Sequence, residues 1–199
     1  MAIRTANNQS LTEITELPSA VTTGSLVLLE TQTESDSSGI SFTDNIDSTY
    51  DEYIFKFIDI HNDTNNGGFS FQVDTGTNTS YNQTITSATF KAEHDEGDTG
   101  TALEYRTDFD QAQGTSFQRL VEGTGDGADE SAAGTLHLFN PSSGTFVKHF
   151  SAQCHYMSTA GDDNVAYRSF IAGYGNTTSD VVAVQFKMSS GNIDAGDIC

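Results

Sequence analysis

The stretch Tyr50-Asp51-Glu52-Tyr53-Ile54-Phe55-Lys56-Phe57-Ile58-Asp59-Ile60-His61 decides the fold of this chain. It is dense in aromatic and β-branched residues, which suit a pleated, half-buried surface. A period of two puts Tyr53, Phe55 and Phe57 on one face, and Ile54, Ile58 and Ile60 on the other, with Lys56 among them. Apolar side chains on both faces predict a central strand rather than a solvent-facing edge. The polar run from His61 to Gly68 then turns the chain back.

Outward from this strand, the chain reads as further short strands separated by turn residues. Ser25–Thr31 and Gly39–Thr43 precede it; Phe69–Val73, Thr84–Glu93 and Ser116–Val121 follow. Between the last two lies a long loop, His94 to Gly114, with a helical turn expected at Thr101–Tyr105. Glu122–Ala133 is an acidic, Gly-rich loop. Thr135–Phe139 ends in the turn Asn140-Pro141-Ser142-Ser143-Gly144. In Thr145–Met157, Phe146, Phe150, Ala152, Cys154 and Tyr156 share a face with Lys148. Val165–Gly173, Val181–Met188 and Asn192–Ile198 complete the set. Many short strands, Gly-rich loops and no long amphipathic helix predict an all-β, antiparallel β-sandwich of jelly-roll type with about ten strands. The domain spans residues 24–199. Residues 1–23 read as an N-terminal arm: Ser10-Leu11-Thr12-Glu13 fits a capping box, and Leu11, Ile14 and Leu17 form one apolar stripe ended by Pro18. So short a helix needs something to pack against, which makes the arm a candidate anchor.

The 199 residues suffice for one domain with a sizeable core. Against 28 acids stand 8 Lys and Arg, a formal net charge of -20. Such a field repels phosphate backbones and anionic membrane surfaces, so neither nucleic acid nor membrane is an expected partner. It suits an outward-facing surface bathed in salt and divalent cations. No apolar run reaches a membrane span, and no cationic segment followed by an apolar one opens the chain as a signal peptide would. Cys154 reads as a buried free thiol, and nothing in its setting or that of Cys199 requires a disulfide.

Catalytic and metal chemistry find little support. His61 and His94 end strands, His137, His149 and His155 lie within them, and no pair has the compact spacing of a zinc site. Carboxylates crowd three loops: Glu93, Asp95, Glu96 and Asp98; Asp126, Asp129 and Glu130; Asp162 and Asp163. None follows the calcium-loop pattern, and solvated loops are the simpler reading. There is no Gly-x-Ser-x-Gly elbow and no Gly-rich phosphate loop with a following Lys. With so many acids, a carboxylate pair fit for glycoside hydrolysis means something only if two face each other across a cleft. The expectation is no enzyme, no catalytic residue, no cofactor and no metal.

Ile46-Asp47-Ser48-Thr49-Tyr50-Asp51-Glu52-Tyr53, with Phe55-Lys56-Phe57-Ile58 after it, resembles a signature of small virion structural proteins of tailed marine bacteriophages. Leu136-His137-Leu138-Phe139-Asn140-Pro141-Ser142-Ser143 and Gln185-Phe186-Lys187-Met188-Ser189-Ser190-Gly191-Asn192-Ile193-Asp194-Ala195-Gly196 carry it further, from about Leu26 to the end. The chain departs from that pattern at Asn62, where a Pro is usual, and at Asp197-Ile198-Cys199, where an aromatic and a Gly are usual. The resemblance implies a non-enzymatic protein on the outer surface of a virion, a capsid decoration, cement or head fibre assembled in the host cytoplasm. Its partners would be other virion proteins, the major capsid or tail protein, and copies of itself, by analogy a trimer. An alternative is a tail-fibre-associated receptor- or carbohydrate-binding module. Tyr105, Tyr156, Tyr167 and Tyr174 are the aromatics available to it, and Trp is absent. A secreted surface or filament subunit shares the acidity and strand content, but should carry an export signal.

Overall fold

In the computed structural model, which describes residues 26–76, 80–160 and 163–199, the alternating runs become strands. They are β1 (Gln32–Glu34), β2 (Ile40–Phe42), β3 (Glu52–Asn62), β4 (Phe69–Asp74), β5 (Ile85–Asp95), β6 (Thr101–Tyr105) and β7 (Ala112–Gly114). The second half supplies β8 (Gln118–Arg119), β9 (Ala132–Phe139), β10 (Lys148–Ala160), β11 (Asp163–Gly175), β12 (Ala183–Met188) and β13 (Ile193–Ile198). One sheet runs β1-β13-β3-β9-β10-β11-β5-β6, with β7 also pairing β5; the other runs β2-β12-β4-β8. Every pairing is antiparallel. The two inner faces pack as a β-sandwich, and the described residues contain no helix.

The opening stretch is central, flanked by β13 and β9. Tyr53, Phe55 and Phe57 point into the core as the alternation requires. After Phe57 the phase breaks. Asp59 adopts a left-handed φ of 51°, and β3 carries one extra residue against both neighbours. Such a bulge reverses the facing of everything beyond it, and Asp tolerates the left-handed region better than a β-branched residue. Ile60 is therefore buried, whereas Ile58 is 47% exposed. This corrects the expectation of two apolar faces: the outer face of β3 meets solvent, and Ile60 belongs to the core. Opposite the bulge, Gly196 has a φ of 120°, and a Cβ there would stand 2.7 Å from the Asp59 carbonyl. Only glycine fits that approach.

Three other expectations are corrected. Thr101–Tyr105 is strand β6, not a helical turn, because its backbone completes the open edge of β5 from Phe90 to His94. Ser25–Thr31 was expected as a strand, yet residues 26–31 pair with nothing regular and the first strand begins at Gln32. Phe146 precedes β10 and is exposed, while Lys148 is buried to 1% exposure with its ammonium donating to the carbonyls of Ser143 and Phe146. The final strand's pairing is settled despite its unusual ending: β13 lies between β1 and β3, and Cys199 exchanges backbone hydrogen bonds with Lys56. The arm at residues 1–23 falls outside the described residues.

Between the sheets, Phe186 of β12 lies within 6.4 Å, centroid to centroid, of the rings of Phe42, Phe55, Phe57, Phe69 and Phe71. Its side chain is fully buried. Replacing Phe186 by Ala should cost about 3–5 kcal/mol, through lost burial and the cavity left behind. That is a large share of the ~5–15 kcal/mol typical of a domain. A urea titration followed by tyrosine fluorescence should show the midpoint fall sharply, while Phe146→Ala on the exposed turn leaves it within about 0.5 kcal/mol of the parent.

Candidate functional site

The larger sheet has more strands than the smaller one can cover. At its β11-β5 end the inner face is closed by loops, and the side chains there turn polar. Along β5, residues 85, 87, 89, 91 and 93 share the inward face. Ile85 packs in the core, Ser87 donates to Gln118 of β8 at 2.6 Å, and Lys91 reaches the loop residue Glu122 at 2.8 Å. Glu93 and Glu104 stand 3.0 and 3.5 Å from the same ammonium. Arg106 grips Glu122 with two 2.8 Å hydrogen bonds and Asp108 with two more, while its plane rests on Phe109. Burial pulls the Lys91 pKa down, but its hydrogen bonds to Glu122 and Glu93 outweigh that and hold it above the ordinary lysine value. The Arg106 fork holds the Asp108 carboxyl down at about 2.

Beside this cluster opens a polar pocket of about 360 Å³, lined by Asn65, Asn66, Glu122, Gly123, Tyr156, Ser158 and Tyr167. Tyr156 and Tyr167 are direct cross-strand partners, and their rings stack 5.0 Å apart. Lys91 lies 4.5 Å from the centre of the Tyr167 ring. Tyr156 is 5% exposed, and burial raises its pKa well above the ordinary tyrosine value. Its hydroxyl lies near Ser169 and the Glu122 backbone but makes no hydrogen bond of normal geometry. Of the four tyrosines singled out in the sequence, the fold brings these two together. Tyr105 is an exposed residue of β6 bonded to Asp110, and Tyr174 meets His149 edge to face.

A second concavity, of about 320 Å³, is mainly apolar. Its walls include Leu26 to Glu30, Phe42, Ile46, Tyr50, Tyr53, Phe55 and Cys199. Leu26 is 70% and Leu28 71% exposed, and Val27 and Leu29 are exposed beside them. These residues lead directly into β1, an edge strand of the larger sheet.

The histidines do not converge. His61 bridges Asp194 of β13 at 2.6 Å and the Gly127 carbonyl at 2.9 Å; His137 bonds Glu52 and His94 bonds Asp98. His149 and His155 are exposed on the outer face of β10. Among the described residues, no group of three or more His, Cys, Asp or Glu is placed to hold a metal ion. Asp95 spends its oxygens on Thr99, and Glu130 accepts the Gly127 amide. Glu93, Glu104 and Glu122 converge, but on Lys91 and Arg106 rather than across an open gap. Cys154 is buried and free, its thiol pushed up to about 12 by burial, and Cys199 is free.

No family model, curated protein or solved structure matches this chain.

Sequence reading missed the polar cluster because its members lie 31 residues apart, at Lys91 and Glu122. One signal was available: a Lys at an inward position of a Thr-rich strand demands a carboxylate from elsewhere. The His61–Asp194 contact gives a pH test. Burial lowers the His61 pKa, but the hydrogen bonds to Asp194 and the Gly127 carbonyl, with the charges of Asp194 and Glu130, together outweigh it and the net shift is upward. A raised folded-state value means the contact stabilises fully below the unfolded pKa of ~6.5 and is lost as pH rises through the folded value. The stability difference between the parent and Asp194→Asn should be largest below pH ~6.5, at about 1 kcal/mol or less, and shrink above it. Urea unfolding across that range measures it, and a difference that grew with pH would contradict the assignment.

Proposed function

We propose that this chain is a non-enzymatic structural protein of a virus particle, worn on the particle's exterior and held there through its N-terminal arm. The observation that carries the reading is the apolar run Leu26 to Leu29, exposed beside an apolar groove and feeding into an edge strand. Four consecutive exposed apolar residues are rare on a free-standing domain and mark a surface that another chain covers. An edge strand beside them offers unpaired backbone groups to that same chain.

Two further features support it. The two antiparallel sheets, β2-β12-β4-β8 over β1-β13-β3-β9-β10-β11-β5-β6, support reading the sandwich as a jelly roll with the hairpin β10–β11 added between β9 and β5; such double sheets build many capsid proteins. The second feature is charge. Among the described residues, Lys91, Arg106, Arg119, Lys148, Arg168 and Lys187 each contact a side chain or carbonyl of the same chain. With 28 acids against 8 Lys and Arg, the surplus of negative charge suits exposure to salt and divalent cations and disfavours contact with packaged nucleic acid. The resemblance of Ile46–Ile58 to phage virion proteins supplies the setting. Self-association into a closed ring, a trimer by analogy, is the corresponding assembly.

The test separates arm from domain. Light scattering should show the full chain as an oligomer, and Leu26→Asp with Leu28→Asp as a monomer of unchanged melting temperature. A chain lacking residues 1–23 should lose binding to intact particles imaged by negative stain. A parent that stays monomeric, or a shortened chain that binds particles as well as the parent, would refute the arm's role.

A further inference from the structure

We propose that residues 26–31 of one copy add as a strand to the open edge of β6 in a second copy, so that the larger sheets join edge to edge and head to tail. The inference rests on the self-association proposed above and deepens it by naming the two surfaces that meet.

The acceptor is β6, which ends the larger sheet among the described residues. Its register with β5 is fixed at both ends: the Arg106 amide donates to the Thr89 carbonyl, and the Asp95 amide to the Gly100 carbonyl. In an antiparallel ladder this turns the backbone groups of Ala102 and Glu104 toward β5 and those of Thr101, Leu103 and Tyr105 away from the sheet. A row of outward N–H and C=O groups is a template for another strand. The usual guards of such an edge are missing, since β6 carries no Lys, no Pro and no bulge. Its one charge, Glu104, is already engaged by Lys91 and Arg106. Leu103 and Tyr105 stand exposed on the outer face, beside Ala92 and Phe90 of β5.

Residues 26–31 are the complementary piece. Leu-Val-Leu-Leu-Glu-Thr reads as a strand in sequence, makes no regular pairing, and runs straight into β1. Leu103, Leu28 and Leu26 are the three most exposed large apolar side chains among the described residues. A period of two sets Leu26 and Leu28 on one face of the run, as it sets Leu103 and Tyr105 on one face of β6. Paired as neighbouring strands, the two rows cover each other.

One chain cannot bring these segments together. β1 and β6 stand first and last in the larger sheet, with seven strand spacings of ~4.8 Å between them. Six residues leading out of β1 reach only ~21 Å at full extension. Segments at opposite edges of one sheet therefore meet only between copies, and such a heterologous contact closes into a ring or runs on as a filament. Charge permits the approach: the outward positions of β5 beside this edge, Thr86, Ala88, Phe90, Ala92 and His94, include no carboxylate in a chain with 28 acids.

The experiment uses the full chain and two one-sided variants. Leu26→Asp with Leu28→Asp spoils the donor run and leaves β6 intact; Leu103→Asp blocks β6 and leaves the run intact. Sedimentation velocity should show the parent as an oligomer and each variant alone as a monomer, all with the parent's circular dichroism spectrum. Mixed together, the two variants should form a heterodimer and nothing larger, because one good donor and one good acceptor remain between them. Leu103→Pro keeps an apolar side chain but removes an N–H that β5 does not use, and it too should be monomeric. A monomeric parent would overturn the self-association reading and this inference with it. An oligomeric parent whose Leu103→Asp or Leu103→Pro variant is also oligomeric, or a mixture that yields no heterodimer, would overturn this inference alone.

Discussion

The ring of Phe186 is the constraint on which the rest of the structure depends. It stands between the sheets and touches phenylalanines from β2, β3 and β4, so it fixes both the spacing of the layers and the position of β12 between β2 and β4. The inner faces adjust around such bulk. Phe71 meets Phe150 edge to face at 5.0 Å, and Gly173 gives the Phe150 ring its room: a Cβ there would come within 2.8 Å of it. Gly134 does the same beside Cys154. Aromatic rings set the thickness of the sandwich, and glycines absorb the local excess.

The aromatic core reaches only as far as the smaller sheet. Beyond it the larger sheet must close its inner face with loops, and loops bring polar backbone and carboxylates rather than aliphatic bulk. Lys91 and Arg106 answer this by drawing Glu93, Glu104, Asp108 and Glu122 into one network. The polar pocket is thus a by-product of unequal sheet sizes. A lysine that would be costly if buried alone becomes the organiser of the loop that covers it.

Much of the fold was legible from alternation. β3, β4, β9, β11, β12 and β13 lie close to where the apolar periodicity places them, because each buries a continuous inward row. The misreadings have physical causes. Periodicity assumes an unbroken strand, and Asp59 breaks it. β6 has no buried row at all; its pairing with β5 is backbone chemistry, and its side chains carry no trace of it. Leu26 to Leu29 have the composition of a strand but no neighbour to pair with. The tyrosine pair was visible only as two residues eleven apart; the β10–β11 hairpin register is what sets Tyr156 against Tyr167. The pocket's other lining residues come from loops whose meeting no local pattern encodes.

The strand order also dictates when this chain is able to fold. β12 separates β2 from β4, and β13 separates β1 from β3. Neither sheet can close across these gaps until the two C-terminal strands have been synthesised. Pairings between distant segments pay their loop-closure entropy before any contact repays it, so folding belongs to the slow, millisecond-to-second regime. While the ribosome is still working, Phe42, Phe55, Phe57, Phe69 and Phe71 wait without the Phe186 ring that will cover them. Exposed aromatic strands invite aggregation in that interval. The dense negative charge, which does nothing to hold the finished sandwich together, keeps nascent copies apart until it forms.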